Sequence, residues 1–353
     1  MNNENLNGSA SNKIVKYIKR KISMFVFDKE KKAGIILPVH HVLFINWHGK
    51  IGDAIVSSFL FKELRKIEGI KISVITTEEI ESLYSKYYKV DDVHILKEYT
   101  YKAINNIAND IKEVDTIVPL MGRLSMKDLF LIYKIDPNNL FGIDDELSRS
   151  NLQMGKRTKR SSIHDIFKLV LEDLNIKHIE DDYIVPTGEG ASNIDKYDIV
   201  FNPFASRVDK CLSVDKSVST LLMISSFYPS LSIGVLCSSV TKEIACKIIS
   251  KLDNENISAI RNTNTLYDAI DTINAAGLII TVDTSIGHIA SGLNKKLIAI
   301  YYKAGDTFNQ WLIQEKVNSK VIFSEGFSSY KEKNMNNFCE VELLKSIKYL
   351  KSL

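Results

Sequence analysis

The stretch Leu278–Leu293, LIITVDTSIGHIASGL, constrains the fold of this chain more than any other. Five apolar or β-branched residues run into Asp283-Thr284-Ser285, and Ile286-Gly287-His288 then opens an apolar-periodic helix. A buried strand therefore ends at small polar residues, where the next helix presents unpaired backbone N–H groups. Such a helix start attracts anions, because its donors and its dipole point the same way. In open α/β sheets ligands also gather beyond the carboxyl ends of strands. The first expectation is a site for a phosphate-bearing ligand.

The same rhythm recurs along the chain. Strand-like runs are Val42–Asn46, Ile72–Thr76, Val93–Leu96 and Asp115–Leu120, then Asp198–Asn202, Ser232–Leu236, Ile257–Ile260, Leu278–Val282 and Leu297–Tyr301. Helical patterns lie between them, including stretches near Asp53–Ile67, Ile163–Leu174 and Val341–Leu350. This alternation predicts an α/β fold with parallel sheets and helices on both faces. The rhythm weakens between Gly142 and Ala191. At 353 residues the chain is also long for a single core. Two Rossmann-like domains follow, 41–190 and 191–353, behind a segment at 1–40.

That first segment is distinctive. Asn12–Lys32 holds eight Lys or Arg against Asp28 and Glu30, interleaved with Ile, Tyr, Met and Phe. Its apolar runs are too short to span a bilayer or to serve as a signal peptide. It reads either as a helix lying on an anionic membrane surface or as a solvated basic helix packed on the protein. The first eleven residues, rich in Asn, Ser and Gly, are expected to be disordered. The formal charge of +3 argues against nucleic acid as a partner. Cys211, Cys237, Cys246 and Cys339 form no CxxC pair or metal-ligand spacing, which suits a reducing cytoplasm.

Two further strand-to-helix junctions carry possible chemistry. In Asn46-Trp47-His48-Gly49-Lys50-Ile51-Gly52-Asp53, the glycines allow a tight turn and Asp53 falls at a helix start. Asp53 there is either an N-cap or a functional carboxylate. The loop is neither a GxGxxG fingerprint nor a P-loop. In Asn202-Pro203-Phe204-Ala205-Ser206-Arg207-Val208-Asp209-Lys210, Ser206 and Lys210 suit phosphate oxygens. Arg207 has the alternative of a surface ion pair.

Taken together the three junctions resemble the bacterial heptosyltransferases, inverting GT-B glycosyltransferases that build the lipopolysaccharide core. The matching elements are Lys50-Ile51-Gly52-Asp53, Ser206-Arg207-Val208-Asp209-Lys210 and Asp283-Thr284-Ser285-Ile286-Gly287-His288, with weaker matches at Gly142-Ile143-Asp144, Arg149 and His164. The likeness covers roughly residues 41–350. It implies two Rossmann-like domains with sheets facing each other across a cleft, an amino-terminal acceptor domain and a carboxy-terminal nucleotide-sugar domain.

The resemblance also implies roles. Asp53 would be the base for the incoming hydroxyl. Lys210, Ser206 and the Ser285–Gly287 backbone would neutralise the diphosphate leaving group, with no metal and no cofactor. Asp283, Thr284 and His288 would hold donor sugar or phosphate. Gly52, Arg123 and Arg149 would meet the acceptor, aided by the basic group Lys127, Lys156, Arg157, Lys159 and Arg160. A carboxylate at a helix start ordinarily has a lowered pKa, which burial would have to offset. The implied donor is ADP-heptose and the implied acceptor is the lipopolysaccharide core. The enzyme would then work in the cytoplasm, peripheral on the inner face of the membrane.

Two departures stand out. Ser285 replaces the glycine most members carry after Asp-Thr. The acidic residue that many members place on the nucleotide ribose has no clear match in Ser238–Glu243, where Glu243 is the available carboxylate. The alternatives are a GT-B transferase with another nucleotide sugar, a GT-B epimerase, or a non-catalytic nucleotide- or glycan-binding homologue.

Overall fold

The computed structural model describes residues 4–30, 34–120, 124–143, 145–190, 194–261, 263–302, 310–325 and 334–353, with the side chains of 4–14 and 16 excepted. The chain forms two compact units, Met1–Asp181 and Asp182–Leu353.

The amino-terminal unit begins with helix α1 (Glu4–Phe27). Its parallel sheet contains β1 (His41–Ile45), β2 (Lys71–Thr76), β3 (Asp92–Ile95), β4 (Thr116–Pro119), β5 (Asn139–Gly142) and β6 (Leu152–Gln153). The strand order is β3-β2-β1-β4-β5-β6. Helices α2 (Ile51–Val56), α3 (Ser58–Leu64), α4 (Tyr101–Asp110), α5 (Met126–Ile135) and α6 (Ile163–Asp173) connect or flank the strands. Strands β1 and β4 pair in register, Val42 with Thr116 through Ile45 with Pro119. Leu43, Ile45, Ile75 and Ile117 form a fully buried core with Ile104, Leu131 and Ile132 from α4 and α5.

The carboxy-terminal unit repeats the plan. Its strands are β7 (Ile199–Asn202), β8 (Ile233–Val235), β9 (Ile257–Ala259), β10 (Leu278–Val282), β11 (Lys296–Tyr302) and β12 (Ser319–Ser324). They are ordered β12-β11-β10-β7-β8-β9, all parallel. Helices α7 (Val214–Phe227), α8 (Lys242–Ile249), α9 (Leu266–Ala275), α10 (Ser285–Gly292) and α11 (Glu340–Ser352) complete it. Counted from its own first strand, each sheet has the order 3-2-1-4-5-6, the doubly wound Rossmann arrangement. The strand order reverses between the first and fourth strands of each unit, so a ligand crevice is expected beyond β1 and β4, and beyond β7 and β10.

Three expectations meet a different outcome. The single helix expected near Asp53–Ile67 is two, α2 and α3. Ser57 and Ser58 explain the break: their hydroxyls donate to Ala54 and Ile55 carbonyls at 3.2 and 2.7 Å, which bends a helix. Helix α1 starts at Glu4, inside the stretch expected to be disordered. Once turns near residues 20–27 are packed, the nucleation cost is met and propagation back along the chain is inexpensive. Strand β6 stands in the region where the sequence rhythm weakens, and β5, not among the expected strands, ends where that region begins.

Candidate active site

In the amino-terminal unit the chain leaves β1 at Asn46, turns, and enters α2. Gly49 makes this turn possible, with φ of +61° and an N–H bonded to the Asn46 carbonyl at 3.2 Å. A Cβ on Gly49 would lie 2.5 Å from Thr77 Oγ1, so no larger residue fits without movement. Lys50, in an extended conformation, is the helix N-cap, with no side-chain capping bond. Asp53 is therefore not the cap; it stands in the first turn. It is buried, at 7% exposure.

That burial decides its chemistry. Desolvation raises the Asp53 pKa to about 7 from an ordinary 3.8, opposed only in part by the Lys50 charge and a backbone hydrogen bond. The helix dipole would favour the carboxylate, and burial outweighs it. A carboxyl group with a pKa near neutrality is well suited to accept a proton from a hydroxyl.

Sequence reasoning missed the support around it. Asn46 Nδ2 donates to Tyr84 Oη at 2.7 Å and to the Lys50 carbonyl at 3.3 Å, locking the loop to a single π-turn at Leu83–Tyr87. Tyr84 is fully buried, and the Asp53 charge helps hold its phenol protonated. No motif marks Tyr84. A buried aromatic with a hydroxyl to satisfy was the available signal.

The expected acceptor contacts have mixed placements. Gly52 lies half-buried in the first turn of α2. Arg123 and Asp144 lie outside the described residues. Arg149 is interior, at 1% exposure; its guanidinium pairs with Asp136 and its backbone N–H donates to Asp28 Oδ1 at 2.8 Å. Lys156, Arg157, Lys159 and Arg160 are exposed, and Arg157 makes two bonds to Asp173 at 2.8 and 3.1 Å. Lys127 lies over the Tyr99 ring, 4.2 Å from its centroid. His164 is buried on α6, against Phe59 and near the Asp181 carbonyl at 3.2 Å.

In the carboxy-terminal unit, the loop after β7 and the end of β10 meet at the point where strand order reverses. Asn202 Nδ2 joins them by donating to Thr281 Oγ1 at 2.9 Å and to the Phe204 carbonyl at 3.0 Å. The loop closes on itself where Leu212 N donates to the Pro203 carbonyl at 2.9 Å. A single 3₁₀ turn, Val208–Lys210, then directs Lys210 toward β10, and its Nζ lies 2.6 Å from Asp283 Oδ2. Ser206 is exposed at the start of this turn. Arg207 pairs with Asp209 at 2.9 and 2.5 Å on the surface.

Thr284 is the N-cap of α10 and makes no side-chain capping bond. Asp283, Thr284, Ser285 and Ile286 are half-buried; Gly287 and His288 are buried. Burial, then the Lys210 charge, lower the His288 pKa to about 4, so its ring is neutral. Its Nδ1 is buried without a hydrogen-bond partner. The fold thus brings the Lys210 ammonium, from a loop about seventy residues earlier in the chain, to the residues that carry the first-turn N–H groups of α10 and the neutral imidazole, an arrangement that can hold a polyanion. Glu243 stands exposed in the first turn of α8, with Ser238 and Ser239 exposed ahead of it.

Among the described residues no group of three or more His, Cys, Asp or Glu is placed to hold a metal ion. No helix among them is long and apolar enough to cross a membrane.

Comparisons with known proteins agree with this architecture. Residues 159–339 match the family model described as glycosyltransferase family 9 (heptosyltransferase). No curated protein matches the chain. Among solved structures, a glycosyl transferase family 9 protein from Veillonella parvula DSM 2008 is similar with a TM-score of 0.66 and 14% identity, over 91% of this chain and 99% of that one. The E. coli ADP-heptose lps heptosyltransferase II gives 0.63 and 16%, over 88% and 98%. E. coli heptosyltransferase WaaC with ADP gives 0.62 and 14%, over 87% and 99%. At such identities the likeness is one of fold, the two-unit α/β fold of GT-B heptosyltransferases.

Proposed function

The chain belongs to glycosyltransferase family 9 (heptosyltransferase), and we propose that it moves a heptose from ADP-heptose to the lipopolysaccharide core with inversion at the anomeric carbon. Asp53 takes the proton from the acceptor hydroxyl. That oxygen attacks the anomeric carbon from the face opposite the diphosphate. The bond from that carbon to the diphosphate oxygen breaks, and its electron pair leaves with ADP. Lys210 and the first-turn N–H groups of α10 meet the developing charge, as preorganised donors do at leaving groups. Asp283 and the neutral His288 hold donor hydroxyls or phosphate, and Ser206 adds a hydroxyl donor.

The observation that carries the reading is the buried Asp53 carboxyl, with its pKa of about 7 beside a glycine turn. A carboxylate serving only as a helix cap would be solvated and would keep a low pKa. The donor comes to this chain from the ADP-bound and ADP-heptose relatives of its fold. The acceptor is lipid-linked in this reading, so the enzyme works peripherally at the inner face of the cytoplasmic membrane.

The test is a donor screen with ADP- and UDP-sugars on truncated core acceptors, read by mass spectrometry. A mass gain of one heptose from the ADP donor alone is expected, and Asp53→Ala should abolish it while ADP still binds. Transfer that survives Asp53→Ala would end the proposal. Transfer from a UDP-sugar alone would reassign the donor.

A further inference from the structure

Helix α1 has two faces of opposite character. Its inner face packs on the amino-terminal unit: Arg20 and Ser23 are buried, and Met24 and Phe27 join the core cluster beside α5. Phe27 meets Phe130 and Tyr133 with ring centroids 5.7 and 5.4 Å apart. The outer face is apolar. Val15, Ile18, Ile22, Phe25 and Val26 are exposed, Phe25 at 92%. Spacings of three and four residues put Val15, Ile18, Ile22 and Phe25 on one line along the helix, with Val26 beside it. Exposed Lys19 and Lys21 border that line on either side, and Lys21 also reaches Glu146 at 3.8 Å.

A helix that served only to pack on α5 would turn polar residues outward. An outward apolar stripe edged by lysines matches a lipid surface instead. The aliphatic and aromatic groups enter the acyl boundary while the ammonium groups meet anionic headgroups. The wider segment strengthens the charge match, with eight Lys or Arg against two acids over residues 12–32.

The direction of α1 matters too. Arg20 Nη1 donates to the Leu124 carbonyl at 2.8 Å, just ahead of α5, whereas Phe27 lies against residues further into α5. The two helices therefore run the same way. Helix α5 follows β4, so its start lies at the end of the sheet where β1 delivers the Asn46–Asp53 loop. The earlier turns of α1 point toward that end.

We propose that the outer face of α1, from Val15 to Val26, docks on an anionic lipid bilayer and sets the Asp53 loop end of the amino-terminal unit near the headgroups. The docking stands on the helix alone. Its use, presenting a lipid-linked acceptor to Asp53, rests on the function proposed above.

The experiment is flotation of the full chain with phosphatidylcholine vesicles, with and without about a third phosphatidylglycerol. Wild type should float with the anionic vesicles. The double variant Ile22→Ser/Phe25→Ser should bind them at least about tenfold more weakly, and Lys19→Glu should weaken binding to the anionic vesicles alone. Phe227→Ser, on an exposed site of α7, should change nothing. Unchanged circular dichroism and melting temperature would show the variants folded. Equal flotation of wild type and double variant would overturn the proposal. So would a wild-type dimer that the double variant splits while neither floats, because the face would then belong to a second copy. Transfer to a water-soluble acceptor should be the same in wild type and double variant. Its absence from both would count against the proposed function and leave the docking result standing.

Discussion

The ammonium of Lys210 lies 2.6 Å from a carboxylate oxygen of Asp283, joining the loop after β7 to the end of β10. The pair is mostly buried, its side chains 30% and 12% exposed, so the attraction between the charges is offset by the cost of drawing both out of water. Its value is in position. A lysine has a long flexible stem and three donors. In the proposed mechanism, held by one carboxylate at the strand-order reversal, it keeps donors available for a diphosphate placed at α10. The same pair keeps Asp283 from presenting an uncompensated charge to that anion.

Lys210→Ala should therefore raise the dissociation constant for ADP by about ten- to a hundredfold, the range for a charged hydrogen bond. Transfer should fall at least as far, since the charge on the diphosphate grows as the bond breaks. Calorimetric titration with ADP checks the first part and steady-state kinetics the second. Unchanged ADP affinity would remove Lys210 from the cradle.

Asp53 should set the pH dependence of transfer. With a pKa of about 7, the fraction of ionised base increases through neutrality, so kcat/KM should rise with pH and level off above about 7. Asp53→Asn should lose about a hundredfold or more in rate, together with that rise.

The same residue should cost stability. The folded pKa lies above the ordinary 3.8, so the native state holds the proton more tightly than the unfolded chain. Its stabilising contribution is full below pH 3.8 and is lost as pH climbs to about 7. Asp53→Asn should then be more stable than wild type at pH 8, by up to about 4 kcal/mol, with the gap closing in acid. Denaturant melts at several pH values measure it, and a gap independent of pH would contradict the burial argument.

These two predictions mark where the sequence stopped being readable. Strand β10 was legible because an apolar run ends abruptly at Asp283, and its observed bounds, Leu278–Val282, are those expected. Strand β5 was not, because only four residues pair and Asn139 among them is polar. Its amide is accounted for by bonds to the Ile36 backbone and to Thr116, partners more than twenty residues away. The position of Asp53 could be read from Gly-Asp after a strand. Its protonation state could not, since desolvation depends on what the fold packs around it. Asn46 and Tyr84, thirty-eight residues apart, became a pair only in three dimensions.

Transfer should proceed at an unchanged rate in excess EDTA. In the proposed mechanism the leaving diphosphate meets Lys210 and backbone N–H groups, which supply positive charge without an ion. A rate that falls in EDTA and returns with added Mg²⁺ or Mn²⁺ would show that these groups are insufficient and would demand a different account of the leaving group.

Two glycines, Gly49 in the Asn46–Asp53 loop and Gly287 in the Asp283–His288 motif, should respond in opposite ways. Gly49→Ala places a Cβ 2.5 Å from Thr77 Oγ1 in a backbone with φ of +61°. Strain and overlap together should cost about 1–3 kcal/mol and displace the loop that carries Asp53, lowering kcat more than it raises KM for the donor. Gly287→Ala meets only Thr281 and Ile313 side-chain atoms at 3.7 and 3.8 Å, ordinary contact distances. Within a helix the added methyl should be neutral or stabilising by up to about 1 kcal/mol. If ADP sits against the first turn of α10, the same methyl should still weaken its binding, because the backbone there must approach the diphosphate closely. Thermal melts with and without ADP separate the two effects. A Gly287→Ala protein as stable as wild type, with ADP affinity also unchanged, would mean that the diphosphate does not approach the α10 backbone at that residue.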